Sequence, residues 1–335
     1  MTMYDLPDLA RIDVRAAARR LEGVLRPTPL LPFDPRDARL VLRLKPECRQ
    51  ETNSFKARGA WNQLVQLTAP QRDAGVVTTS SGNHGRALAW AARRAGVRAT
   101  IVMPASTYPN KIAACRAEGA EVVLCPTRAE AEAECARRVA AGAVLVHPYK
   151  AARTIEGAGT VGLEIAREWP EVEVVLVPCG GGGLTAGTAL ALVSELGERV
   201  QVIGVEPEGA PNLTRSLEAG EVVPLEQITT AVQGLCPPDT GELNVALAER
   251  YLAGTILLSD EEIVAGQKEL LEAGLTVEPA GAAAFAAVRA GALPAELLAG
   301  RGPANPLRVA CVLSGGNPDP EQVRRLVPTH VIAGA

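Results

Sequence analysis

Short apolar runs alternate with alanine-rich stretches of helical length along most of this chain. Between about residue 75 and residue 148 the order is GVVTTSS, GNHGRALAWAARRAG, VRATIVMP, NKIAACRAEG, AEVVLCP and AVLVHP. Parallel strands need crossover connections, which are usually helices, so this alternation predicts a doubly wound βαβ unit. A second series, from EVVLVPCGGGG to LRVACVLSGGN, predicts another sheet of the same kind. The predicted fold class is α/β, with two doubly wound open-sheet domains.

The composition supports two cores and disfavours large charged partners. The chain has 335 residues, of which 47% are hydrophobic, so it can fill two domains. Its net charge is −4 and no block of Lys or Arg dominates, which argues against nucleic acid or an anionic membrane surface as the partner. No uncharged apolar stretch is long enough to span a bilayer, and the N-terminus lacks a signal-like apolar segment. We therefore expect a cytoplasmic protein with a small-molecule ligand.

The cysteines and histidines show no recognisable site pattern. The seven cysteines are scattered without a C-x-x-C pair, so free buried thiols are expected rather than zinc or disulfides. A nucleophilic triad built on His84 stays open, although a lone histidine beside glycines is more typical of a loop.

Lys56 lies in QETNSFKARGAWNQL (50–64), at the predicted start of a helix. Asn53 and Ser54 are suitable N-caps, and apolar residues follow the lysine at helical spacing. A helix N-terminus carries partial positive charge, so an ammonium group is unfavourable there. This placement favours the neutral amine, which is the form that reacts with an aldehyde.

Three glycine-rich turns follow apolar runs, at the strand ends where ligands bind in open parallel sheets. They are TTSSGNHG (78–85), PCGGGGLTAG (178–187) and VLSGGNPD (312–319). Consecutive glycines that open a helix let backbone N–H groups converge on an anion. The sequence therefore predicts a phosphate site at Gly180, Gly181, Gly182 and Gly183.

The residues alone leave three classes of function open. Gly181, Gly183 and Ala186 satisfy G-x-G-x-x-G/A, and Glu206 ends the next predicted strand, as in an NAD-linked oxidoreductase. A non-catalytic binding module would use the same turns, with Lys56 as a surface residue. Pyridoxal phosphate accounts for more of the pattern, because it needs a Schiff-base lysine, an anion cradle, a partner for its ring nitrogen and a pocket for the substrate carboxylate.

These motifs resemble those of the pyridoxal-phosphate serine/threonine dehydratases and serine racemases, which have the tryptophan synthase β-like fold (fold type II). SFKARGA resembles the lysine motif of that family, SSGNHGRALA its substrate-carboxylate loop, PCGGGGLTAG its phosphate loop and LSGGN its ring-nitrogen loop. RPTPL (26–30) and VEPAGAAA (277–284) also match in order and spacing. The resemblance covers nearly the whole chain.

The resemblance implies a role for each candidate residue. Lys56 would bind the cofactor covalently and act as the catalytic base. Asn83 would bond the phenolic oxygen of the cofactor, Ser314 would face its ring nitrogen, and the phosphate would lie at Gly180 to Gly183. The residues implied to bind the substrate carboxylate are Ser80, Ser81, Gly82, Asn83 and His84.

The resemblance also implies the reaction and the domain organisation. The reaction would be β-elimination of L-threonine or L-serine to a 2-oxo acid and ammonia, with serine racemisation as an alternative or an additional activity. Residues 1–71 and 148–335 would form a large cofactor-binding domain, and 72–147 a small mobile domain. A homodimer is expected.

Ser81 bears on the choice between these activities. It stands where many dehydratases without racemase activity have alanine and where the resembling racemases have serine, so it would act as a second base opposite Lys56. A hydroxyl at this position could equally bond the loop backbone or the substrate carboxylate.

Two stretches depart from the family pattern. VEPEGAPN has Asn212 where an aspartate is common, which weakens the case for a divalent cation at Glu206 and the Ala210 carbonyl. GLCPPDTGELN (234–244) matches no family motif and would either alter substrate choice or form a variable loop.

Overall fold

The computed structural model describes residues 12–330. Predictions about the first eleven residues and the last five therefore lie outside the described part. The strands are β1 (Leu31–Phe33), β2 (Leu40–Lys45), β3 (Val76–Thr79), β4 (Ala99–Pro104), β5 (Glu121–Cys125), β6 (Val144–Leu145), β7 (Val174–Pro178), β8 (Gln201–Pro207), β9 (Gly254–Leu258) and β10 (Leu307–Val312). The helices are α1 (Val14–Leu21), α2 (Lys56–Leu64), α3 (Ala69–Ala74), α4 (Asn83–Ala95), α5 (Pro109–Ala117), α6 (Arg128–Ala140), α7 (Ala152–Glu168), α8 (Gly183–Leu196), α9 (Asn212–Ala219), α10 (Glu242–Tyr251), α11 (Asp260–Glu272), α12 (Pro279–Arg289), α13 (Ala295–Leu298) and α14 (Pro320–Leu326).

The larger sheet has the strand order β1-β2-β10-β7-β8-β9, and only the β1–β2 pair is antiparallel. Its two faces are both covered. Leu176 packs with the residues of α12 on one face, whereas Val175 and Val177 pack with α7 and α8 on the other. Burial on both faces explains why these strands are continuous apolar runs rather than alternating ones.

The smaller sheet has the order β5-β4-β3-β6, and all its pairs are parallel. Helix α4 packs on one face against Val76 and Ile101, and α6 packs on the other against Val77 and Val102. The prediction of two doubly wound α/β sheets is confirmed. Apart from the antiparallel β1, both sheets consist of parallel strands, and the strands between residues 76 and 145 and those of the second series run in the chain segments that the sequence indicates.

Local details differ from the sequence interpretation around Lys56. Asn53 is not an N-cap, because it has a left-handed φ of 55° and lies in a 3₁₀ turn. Helix α2 begins at Lys56 after Phe55, whose side chain makes no capping bond. Ser54 Oγ instead accepts the Lys56 N–H at 3.1 Å, so part of the capping function stays with the predicted serine.

Two global predictions can be compared with the fold. All seven cysteines are free, six of them buried and Cys236 half-buried. Within residues 12–330, none of the helices combines the length and the apolar character needed to cross a bilayer.

Candidate active site

The start of α2 places Lys56 beside loops that follow strands of both sheets. Lys56 Nζ donates a hydrogen bond to the Pro148 carbonyl, at 2.8 Å, in the loop after β6. The preceding Phe55 N–H donates to the Ser314 carbonyl, at 3.1 Å, in the loop after β10. The ring of Tyr149, next to Pro148, lies over the phosphate loop after β7, because a Cβ on Gly181 would overlap it. Three carboxyl ends of parallel strands thus meet around one lysine.

Buried ion pairs hold the helix that carries Lys56. Arg58 is 1% exposed, and its guanidinium bonds the carboxylates of Glu47 and Glu164, with shortest distances of 2.7 and 2.6 Å. Lys45 also bonds Glu164, so two cations and two carboxylates share one buried cluster. Paired charges of this kind are costly to break singly. The cluster fixes α2 against β2 and α7, and with it the position of Lys56.

The environment of Lys56 favours its neutral form. Burial lowers the pKa of Lys56 to about 8, and the nearby Glu278 carboxylate opposes this shift in part. About a tenth of the amine is therefore neutral at pH 7 and about half at pH 8, far more than for an ordinary lysine. This is the protonation state that nucleophilic attack on an aldehyde or proton abstraction requires.

The four glycines between β7 and α8 form an anion cradle. Gly182 has a left-handed φ of 85°, which favours glycine. A Cβ on Gly183 would approach the Tyr149 carbonyl to 2.8 Å, so side chains do not fit here. The backbone N–H groups of Gly180 and Gly181 have no hydrogen-bond acceptor in the part of the chain that the structure describes. Unpaired N–H groups before a 14-residue helix suit a phosphate, so the residues present fit this part of pyridoxal phosphate.

Asn83 begins α4 and links the smaller sheet to the larger one. Its side-chain nitrogen donates to the Glu278 carboxylate, and its side-chain oxygen accepts from Asn317 Nδ2 at 2.8 Å. Glu278 precedes α12, and burial raises the pKa of its carboxyl, although the charge of Lys111 lowers it. The sequence pattern assigns Glu278 no role. The feature of the sequence that could have drawn attention to Glu278 is its position as a lone carboxylate directly before Pro279, at the start of an apolar helix.

The turn after β3 presents a second set of free backbone donors. Ser80 Oγ accepts hydrogen bonds from two N–H groups of this turn, at 3.3 and 3.1 Å, which shapes it. The N–H groups of Ser81, Asn83 and His84 have no acceptor among residues 12–330. Ser81 is exposed, whereas Gly82 and Asn83 are half-buried. This helix start can bind a carboxylate.

His84 is not the loop residue that its neighbours suggest. It lies in the first turn of α4, is 3% exposed, and its Nε2 is 2.8 Å from the Val146 carbonyl. Burial and the charge of Lys56 lower the pKa of His84 to about 3, so its imidazole is neutral. A nucleophilic triad is not formed, because no other side-chain bond of His84 occurs in the described chain. Its backbone N–H, in the predicted carboxylate-binding turn, has no acceptor among residues 12–330.

Ser314 is buried in the loop after β10. Its Oγ lies 3.4 Å from the Ala280 carbonyl in α12, and its own carbonyl accepts the Phe55 N–H. A Cβ on the next residue, Gly315, would overlap the Glu278 carboxylate. The serine therefore lies close to both Lys56 and the Asn83–Glu278 pair.

Glu206 is the last residue but one of β8 and is fully buried. Its buried carboxylate accepts the Leu213 and Thr214 N–H groups at 2.8 Å each and the Thr214 hydroxyl at 2.7 Å. These bonds cap α9, so the carboxylate is not placed to bind the ribose of a nicotinamide dinucleotide. These three bonds leave one acceptor site on Oε1, and residues 12–330 contain no group of three or more His, Cys, Asp or Glu side chains that could hold a metal ion. Glu206 therefore acts as a cap of α9, and the doubtful cation site at Glu206 and the Ala210 carbonyl stays an untested prediction.

Known proteins resemble this chain along most of its length. A family model described as pyridoxal-phosphate dependent enzyme matches residues 21–315. The chain is 37% identical to an L-threonine ammonia-lyase of Thermotoga maritima over 321 residues, which cover 94% of this chain and 77% of the relative. It is 38% identical to a phenylserine dehydratase of Ralstonia pickettii over 329 residues, covering 95% and 97%. The structure of maize serine racemase superimposes with a TM-score of 0.85 at 32% identity, covering 93% of this chain and 94% of that one.

Proposed function

This chain belongs to the family of pyridoxal-phosphate dependent enzymes, and on that premise we propose that it is an ammonia-lyase acting on β-hydroxy amino acids. The reaction is dehydration and deamination of a substrate such as L-threonine or L-serine to a 2-oxo acid and ammonia. Relatives that bear the names L-threonine ammonia-lyase and phenylserine dehydratase over nearly the whole chain support this reaction class.

The observation that carries the proposal is one lysine of lowered pKa beside a glycine cradle. Lys56 bonds Pro148, and the adjacent Tyr149 ring covers the phosphate loop. A phosphate and an aldehyde of one small molecule could therefore be held by neighbouring loops. We assign the phosphate to Gly180 to Gly183, the phenolic oxygen to Asn83 and the ring nitrogen to Ser314.

Lys56 Nζ is the group that we assign to proton removal at the substrate Cα. Its pKa of about 8 leaves part of the amine neutral, and the Pro148 carbonyl at 2.8 Å orients it. When bound, pyridoxal phosphate supplies an electron sink for the negative charge left at Cα. Ser314 offers a neutral hydroxyl where a carboxylate would hold the ring nitrogen protonated, which favours loss of the β-hydroxyl over transamination.

The substrate carboxylate is assigned to the turn Ser80–His84. The free N–H groups of this turn and the N-terminus of α4 attract a negative charge. Binding there would bring the substrate between the smaller sheet and Lys56.

Serine racemisation is a second candidate activity. Ser81 is exposed at this turn, so its hydroxyl is accessible to a bound substrate. The structural similarity to maize serine racemase supports testing it. Reprotonation of Cα by Ser81 on the face opposite Lys56 would invert the configuration.

Absorption spectroscopy and mass spectrometry test the main proposal. The purified protein should be yellow, and borohydride should bleach its visible band and leave a reduced cofactor on the peptide that contains Lys56. It should also release a 2-oxo acid from L-threonine or L-serine. Colourless protein that stays inert with added pyridoxal phosphate would contradict the proposal. Lys268→Ala is the matched control, because this lysine is 51% exposed on α11 and should leave both results unchanged.

A homodimer and a cytoplasmic location stay predictions, as does the division into a large domain (1–71 and 148–335) and a small mobile one (72–147). The smaller sheet, whose strands lie between residues 76 and 145, supports that division. Limited proteolysis and size-exclusion chromatography with light scattering would test the domain boundaries and the dimer.

A further inference from the structure

Residues 234–244, to which the sequence pattern assigns no role, lie directly against the proposed phosphate loop. Thr240 Oγ1 and Asn244 Nδ2 both donate to the Gly181 carbonyl, at 3.0 and 2.5 Å. A Cβ on Gly182 would come within 3.0 Å of Thr240 Oγ1. The segment therefore fixes the orientation of one peptide unit in the middle of the four glycines.

Tyr149 covers the same glycine and is tied to the same segment. Its ring fills the space that a Cβ on Gly181 would occupy. Its hydroxyl donates to Asp239 Oδ1 at 3.0 Å, and its carbonyl accepts from Asn244 Nδ2 at 3.1 Å. Burial raises the pKa of Tyr149, so the hydroxyl remains a donor throughout the neutral range.

Asp239 joins this tyrosine to the next residue of its loop. Its Oδ2 accepts from Lys150 Nζ at 2.7 Å. The Lys150 and Asp239 side chains are 38% and 26% exposed, so their ion pair alone stabilises the fold only weakly. Its main effect is geometric, because one carboxylate holds two consecutive residues of the loop whose Pro148 carbonyl bonds Lys56.

We propose that Tyr149, Lys150, Asp239, Thr240 and Asn244 form a clamp that sets the affinity of this enzyme for the cofactor phosphate, with Asp239 as its positioning residue. The proposal rests on the proposed function. Asp239 acts through Tyr149 and Lys150. Without the Asp239 carboxylate, the Tyr149 ring is no longer fixed over Gly181. The phosphate loop then samples conformations in which its backbone N–H groups do not converge on the phosphate. Donors that are ordered before binding hold an anion more tightly than donors that must be ordered by it.

Two measurements test the clamp on the full-length chain. The dissociation constant for pyridoxal phosphate is obtained by absorbance titration of the cofactor-free chain, and the ³¹P resonance of the holoenzyme reports on the phosphate environment. We expect Asp239→Ala to raise the dissociation constant roughly five- to tenfold and to shift or broaden the resonance. Tyr149→Phe, which keeps the ring, and Asp239→Asn, which keeps an acceptor for the hydroxyl, should raise it by about two- to fivefold.

Glu173→Gln is the matched control. Glu173 forms an ion pair with Arg301 at 2.8 Å, and the two side chains are 22% and 21% exposed, about as much as Asp239. Glu173 directly precedes β7, so it lies at the end of this strand that is opposite the glycines. This variant should leave the dissociation constant and the resonance unchanged.

The pattern of effects across the variants distinguishes the clamp from a general loss of stability. An unchanged dissociation constant and resonance in both Asp239→Ala and Tyr149→Phe would overturn it. The proposal would also be overturned if each variant lost cofactor affinity and thermal stability of the cofactor-free chain to the same extent, because that pattern reflects general destabilisation. If Asp239→Ala does not fold, Tyr149→Phe decides the question. Failure of the unaltered chain to bind pyridoxal phosphate would instead contradict the proposed function.

Discussion

The proposed phosphate loop (Gly180–Gly183) and the proposed substrate-carboxylate turn (Ser80–His84) have similar backbone arrangements, but the first is more tightly packed than the second. Each follows a parallel strand and opens a helix with free N–H groups. Gly182 is buried against Thr240 and Asn244. At the corresponding position in the other turn, a Cβ on Gly82 would meet no atom within 4 Å, and the neighbouring Ser81 is exposed.

This difference in packing fits the different roles that we propose for the two sites, one for the cofactor phosphate and one for the substrate carboxylate. A cofactor that stays bound through many turnovers can be enclosed by a preorganised loop. A substrate must enter and leave, so we expect its proposed turn to stay accessible and to close during the reaction. The preorganised side lies on the larger sheet, and the accessible side lies on the smaller one.

Lys56 stands between the two sites, and its removal should have the largest effect. We expect Lys56→Ala to lower the dehydration rate by about 10³-fold or more, because the base and the covalent attachment are lost together. The variant should fold and still bind pyridoxal phosphate reversibly through the phosphate loop. Steady-state kinetics and circular dichroism would show this. Near-normal turnover without added amines would exclude Lys56 from the role.

A glycine in each anion site can be substituted to test the contrast directly. Gly182→Asp should weaken cofactor binding by roughly 10- to 100-fold, because it combines a left-handed φ of 85°, a side chain crowded against Thr240 and Asn244, and a negative charge next to the proposed phosphate site. Gly182→Ala separates the cost of the backbone and of crowding against Thr240 and Asn244 from the cost of the added charge. Gly82→Ala is the matched control, since its Cβ enters open space, and it should leave the affinity unchanged. Equal effects at both glycines in an absorbance titration would remove the contrast.

The pKa of Lys56 gives a pH-dependent prediction. Covalent attachment of pyridoxal phosphate to the cofactor-free chain should accelerate as the pH rises through about 8, where the amine becomes neutral. Since folding lowers this pKa from 10.5, the unfolded chain binds more protons between pH 8 and 10.5, and stability should rise with pH across that window. Stopped-flow absorbance and urea unfolding measure the two effects. A Lys56→Met variant with the same rise in stability would assign the rise to other groups.

Ser81 should have the smallest effect on elimination. Because its side chain is exposed, Ser81→Ala should dehydrate L-serine or L-threonine within about twofold of the unaltered enzyme. Formation of D-serine from L-serine should be slow in the unaltered enzyme and lost in the variant. Chiral chromatography decides this. No D-serine from the unaltered enzyme, or equal amounts from both, rules out Ser81 as the second base.

Local sequence pattern was sufficient to predict the α/β class, the two sheets and the positions of the glycine-rich turns at the strand ends. These features depend on periodicity along the chain and on the rule that ligands lie at the carboxyl ends of parallel strands. Lys56 could be identified in the same way, because a cation at a helix start is locally unfavourable. Neither inference depends on which strands are neighbours in a sheet.

Tertiary packing was needed to show which distant residues complete the site. Glu278 bonds Asn83, which is 195 positions away in the sequence, and Asp239 bonds Tyr149, which is 90 positions away. These residues come together because the strand order in the sheets is not sequential. The same is true of His84, whose burial against Val146 overrides the loop conformation that its glycine neighbours favour. Local pattern cannot predict such pairs, because each depends on how two sheets and a segment without a motif pack together.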